Sequence, residues 1–126
     1  MTLSELMKYC LAKNGAYEDH PFGSEPTVIK VKAGQGKGKI FAQLFSELHG
    51  QPSVTFNCTR EQGELYRALF PGIIKRGYHC PPVMQPYFNT LPLDGSVPDE
   101  VVLQMADESY RTVVGKMPKC VQKELL

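Results

Sequence analysis

Lys30 and Lys32 precede the glycine-rich stretch AGQGKGK, Lys37 and Lys39 lie within it, and a Lys75–Arg76 pair follows further along the chain. Cationic side chains on one strand face and at its hairpin tip can track the phosphates of a nucleic acid, and Tyr66, Tyr78, Tyr87 and Phe88 add rings for base stacking. The competing reading is an ordinary solvated sheet face, because lysines near a hairpin tip also discourage edge-to-edge pairing. A nucleotide-binding phosphate loop fits less well. In GQGKGKI the glycines Gly34 and Gly38 are too close together for that motif, and Ile40 stands where a Ser or Thr must hold magnesium.

The remaining reactive side chains form no catalytic pattern. His20, His49 and His79 lie in unlike segments without metal-ligand spacing, and each reads as a hydrogen-bonded turn residue. Cys80 follows His79 directly, which on a strand sends the two side chains to opposite faces and makes a poor nucleophile–base pair. The acid pairs Glu18–Asp19 and Asp107–Glu108 read as solvated faces or caps. Cys10, Cys58, Cys80 and Cys120 show no CxxC and indicate neither a zinc site nor a disulfide framework.

The elements that must position these residues begin with a helix, where Thr2 and Glu5 make a capping box and Leu3, Leu6, Met7, Cys10 and Leu11 recur at helical spacing. After a connection from Tyr17 to Pro26, TVIKVK alternates, with Ile29 and Val31 on one face and Lys30 and Lys32 on the other. KIFAQLF is the returning strand, SELHGQP a connector, and SVTFNC a third strand. Thr59 and Gln62 cap a second helix, with Leu65, Tyr66 and Leu69 on its stripe. IIKRGYHCPPVMQP reads as a short strand and an irregular crossing. YFNTLPLDG reads as a strand that Pro92 places at an edge. Pro98, Asp99 and Glu100 start a long helix buried along Val102, Met105, Ala106, Ser109, Tyr110, Val113 and Met117, and KCVQKELL after Pro118 is a short terminal helix or a frayed end. The order predicts an α+β fold, an antiparallel sheet covered on one face by terminal helices.

With 126 residues, 21% of them charged, the chain is sized for one domain spanning 1–126. The formal charge of +1 is unevenly spread, because residues 27–92 hold eight Lys and Arg against three acids while both flanks are acidic. The opening MTLSELMKYCLAKNG is amphipathic and no apolar run nears a membrane span, so the expectation is a soluble cytoplasmic protein with reduced thiols.

HPFG at 20–23, YH at 78–79, FNTLPLDGSVPDE at 88–100 and SYRTVVGKMPK at 109–119 fall in the order of the landmarks of the MmcQ/YjbR family, which this chain resembles from about His20 to Lys119. The family consists of small bacterial proteins that carry a DNA-binding label. The resemblance implies a CyaY-like (frataxin-like) sandwich, described there as a double-wing DNA binder. Where family members show one or two basic residues and then Trp, this chain reads MQPYFNT, with Phe88 at the Trp position.

The resulting expectation is a non-enzymatic DNA-binding protein without cofactor, metal or membrane partner. Its sequence-independent phosphate contacts would be Lys30, Lys32, Lys37, Lys39, Lys75 and Arg76, and a small pocket would form from His20, Tyr78, His79 and Phe88. The alternative is a small ligand-binding or protein-interaction module. Metal chaperoning by analogy with frataxin-like folds ranks last, because the first helix and its flank offer only Glu5, Glu18 and Asp19 for an acidic ridge.

Overall fold

The computed structural model describes residues 1–77 and 80–126 as a six-stranded antiparallel sheet with four helices. The strands are β1 (Ala16–Asp19), β2 (Thr27–Val31), β3 (Lys39–Leu48), β4 (Gln51–Asn57), β5 (Lys75–Arg76) and β6 (Phe88–Pro92), in the spatial order β1-β2-β3-β4-β6-β5. The helices are α1 (Leu3–Leu11), α2 (Arg60–Leu69), α3 (Asp99–Val114) and α4 (Lys119–Leu125). The α+β layout is as expected.

Both capping boxes form: Thr2 and Glu5 close the start of α1, and Thr59 and Gln62 that of α2. Helix α3 covers the centre of the sheet and ties the other elements to it. Its Ser109 hydroxyl donates to the Phe41 carbonyl at 2.5 Å and accepts from the Asn57 N–H at 2.9 Å. The carbonyl is available because Phe41 is the extra residue of a β-bulge, where the β2–β3 register jumps from Ile29–Ala42 to Lys30–Ile40. The same bulge turns the Phe41 ring into the core, edge-on to Tyr110 with centroids 5.4 Å apart. Tyr110 in turn donates to the Asn14 carbonyl, and the Tyr66 hydroxyl of α2 donates to Glu108. Tyr9 of α1 and Lys13 just beyond its end both reach Asp107.

Several expectations need correction. The Tyr17–Pro26 connection contains strand β1, whose polar residues pair along β2 without an apolar alternation to announce them. Strand β3 runs on to Leu48, so SELHGQP contracts to a two-residue turn, His49–Gly50, between the paired Leu48 and Gln51. Leu65 and Leu69 are exposed, and of that proposed stripe only Tyr66 is buried. Val28 and Ile29 are both fully buried, so β2 is covered on two faces rather than alternating. Pro92 is not on an edge strand, since β6 lies between β4 and β5. It is tolerated because β5 pairs only with Asn89 and Thr90 and so leaves no acceptor beside Pro92.

Candidate functional site

Three of the expected lysines gather at the end of the sheet where β2 turns into β3. Lys32, Lys37 and Lys39 are exposed there. Tyr17 of β1 organises the loop between them. The Lys32 ammonium stands 4.9 Å from the centre of its ring. From the other side Gly38 packs so closely that a Cβ there would lie 1.8 Å from the tyrosine oxygen. A larger residue at Gly38 would therefore have to displace the end of the Tyr17 side chain. Lys39 and Lys116 then line one shallow groove of about 350 Å³ with Ile40, Asn57, Val113 and Met117, and no carboxylate lines it. Lys116 was not singled out in the sequence; the signal was its place just past the end of α3, in GKMPK.

Lys30 belongs to a different environment. Its ammonium pairs with Asp19 at 2.8 Å, and that carboxylate holds the Lys30 pKa up while its own is held down by Lys30 and by the His20 N–H. Among the described residues Lys32, Lys37, Lys39 and Lys116 make no such ion pair. Lys75 and Arg76 are exposed on β5, at the far side of the sheet. Four strand spacings separate β2 from β5, roughly 19 Å. The six cations expected to act together thus divide into Lys32, Lys37 and Lys39, the paired Lys30, and Lys75 with Arg76.

The aromatic residues are also redistributed. Tyr66 is buried, and burial together with its bond to Glu108 pushes its hydroxyl up to about 12, so it offers no stacking surface. Tyr87 is exposed in a 3-10 turn, while Phe88 lines a cleft of about 700 Å³ on the sheet face opposite the helices, with Phe22, Phe45 and Met84. His20 does not line that cleft; its Nε2 lies 2.6 Å from Glu18. The other two members of the expected pocket, Tyr78 and His79, lie outside the described residues.

Buried thiols are held protonated, Cys10 at about 12 and Cys58 at about 11, in both cases chiefly by desolvation. Among the described residues no group of three or more His, Cys, Asp and Glu side chains is placed to hold a metal ion, and no helix is long and apolar enough to cross a membrane.

The model of the YjbR family matches residues 11–112. The chain belongs to the YjbR family. The uncharacterized protein YjbR of Escherichia coli strain K12 is 29% identical over all 126 residues, which cover 98% of that relative. A crystal structure of Deinococcus radiodurans protein DR2400, with a DUF419 domain, superposes with a TM-score of 0.86 over 98% of this chain and 87% of that one, at 29% identity. A Pseudomonas syringae protein shares the fold at 16% identity, with a TM-score of 0.67 over 89% of this chain and 98% of its own. Within the family match lie Tyr17, Gly38 and the β2–β3 lysines, whereas Lys116 falls just beyond it.

Proposed function

We propose that this YjbR-family protein is a non-enzymatic, sequence-independent nucleic-acid-binding protein that grips duplex DNA through the β2–β3 end of its sheet. The observation that carries the reading is the set of four exposed or groove-lining ammonium groups, Lys32, Lys37, Lys39 and Lys116, with no carboxylate paired to any of them among the described residues. Unpaired cations at one end of a nearly neutral protein create a local positive field that a polyanion can exploit by releasing its counterions. The loop has no arginine for bidentate base contacts, which suits phosphate tracking without sequence selection. Lys30 is left out of the contact set because Asp19 already neutralises it. A one-sided helix layer over an antiparallel sheet fits the CyaY-like sandwich of the same reading, with the β2–β3 hairpin as a wing.

The test is fluorescence anisotropy of a labelled duplex titrated with the protein at two salt concentrations. Four phosphate contacts predict that affinity falls about 100-fold between 50 and 200 mM salt. Absence of binding at low salt would overturn the reading, as would binding that ignores salt.

A further inference from the structure

The second cationic group sits in different surroundings from the first. On the helix-free face of the sheet, a cavity of about 370 Å³ is lined by His49, Ser53, Lys75, Arg76, Thr90 and Asp94 among others. A sheet face that buries its residues is normally aliphatic; here Ser53 is 3% exposed, and Thr90 shares a 2.6 Å hydroxyl contact with the buried Thr55. The cavity wall is mixed, with Leu48, Ile73 and Pro92 beside Ser53 and Thr90, and its rim is cationic. Asp94 also lines it, with one carboxylate oxygen engaged by both the Ser96 N–H and the Ser96 hydroxyl.

His49 supplies an independent observation. It is the first residue of the two-residue β3–β4 turn, and both turn residues have positive φ, 53° at His49 and 83° at Gly50. That is the pattern of a type I′ turn, which Asn, Asp or Gly satisfy best at its first position. His49 is the one non-glycine among the described residues with positive φ. Histidine is among the residues enriched in this left-handed conformation, and here its side chain lines the cavity with the two β5 cations.

We infer that this cavity binds a small phosphorylated molecule, its phosphate held by Lys75, Arg76 and His49 and its body resting against the mixed wall of Leu48, Ser53, Ile73 and Thr90. A planar guanidinium can grip two phosphate oxygens at once, the ammonium adds a point charge, and the volume lies in the range of small-molecule sites. The site is distinct from the nucleic-acid surface, because β5 lies three to four strand spacings, roughly 14–19 Å, from β3 and β2 across the sheet.

The experiment is a set of amide chemical-shift titrations with inorganic phosphate, acetate and a short DNA duplex. Phosphate is expected to shift Ser53, Lys75 and Arg76 saturably. Arg76→Gln and His49→Asn should each weaken that binding at least about fivefold, and His49→Asn should keep or raise Tm because asparagine suits the turn. The inference is overturned by the absence of saturable shifts, by an equal response to acetate, or by phosphate binding that survives the double substitution Lys75→Gln and Arg76→Gln. It is also overturned if the duplex perturbs these same residues more tightly than phosphate does, since the phosphate recognised would then be that of a nucleic-acid backbone. The nucleic-acid reading stands or falls separately, on the residues of the β2–β3 loop.

Discussion

The β2–β3 end and the β5 edge both present cations, lysines alone at the first and a lysine–arginine pair at the second, in different surroundings. At the first, lysines stand on an exposed loop braced by Tyr17, with a shallow groove beside them. At the second, Lys75 and Arg76 form the rim of a cavity whose wall mixes Ser53 and Thr90 with Leu48 and Ile73. Positive charge alone therefore does not define a ligand. An open row of cations matches a long polyanion, whereas a concave cationic rim matches a compact one.

Charge reversal separates the two most strongly. Replacing Lys32, Lys37, Lys39 and Lys116 together by Glu should lower duplex affinity at low salt by about 100-fold or more, equivalent to about 2.7 kcal/mol, with little change in Tm. The matching reversal of Lys75 and Arg76 should leave duplex affinity within about twofold. Equal losses from the two variants, measured by anisotropy, would erase the distinction.

The brace beneath the loop comes next. Gly38→Ala would push the tip of the Tyr17 side chain aside and should cost about 1 kcal/mol or less in denaturant unfolding while also weakening duplex binding. Unchanged stability and duplex binding would mean that Tyr17 does not hold the loop.

A third prediction concerns the support on the helix side. Burial by itself would raise the Asp107 carboxyl, but the Lys13 ammonium and the Tyr9 hydroxyl outweigh it, and its pKa is lowered. A carboxyl lowered on folding stabilises the protein above its ordinary value of 3.8 and loses that contribution as pH falls through its folded value. Asp107→Asn should thus cost about 1–2 kcal/mol at pH 7, discounted for partial exposure, and the gap from the parent should close below pH 3.8. A gap that persists at low pH would point to packing instead.

The last effect expected is that of Thr59→Ala at the start of α2. It should cost about 1 kcal/mol through loss of the cap and change binding at neither cationic region.

How much of this was legible beforehand follows from the range of each signal. Thr2 with Glu5 and Thr59 with Gln62 are local signatures, and both helices start where they indicate. The stripe of α3 was also readable, because residues from Val102 to Val113 face one sheet at helical spacing. Strand β1 was not, since its polar residues at a sheet edge carry no apolar period. The grouping of the cations was illegible for a topological reason. Insertion of β6 between β4 and β5 carries Lys75 and Arg76 to the far edge, and nothing in their own sequence encodes that order. Lys116 joined Lys39 only through the docking of α3, across a long sequence separation. The left-handed conformation of His49 became visible only as a backbone angle.

The most direct test of the central claim is the salt dependence of duplex affinity, measured for the parent and for single Lys→Gln variants at 32, 37, 39 and 116. The account predicts a slope of about −3.6 in log affinity against log salt, reduced by about 0.9 for each lysine removed. A slope near zero, or one that changes only when Lys75 or Arg76 is removed, would contradict it.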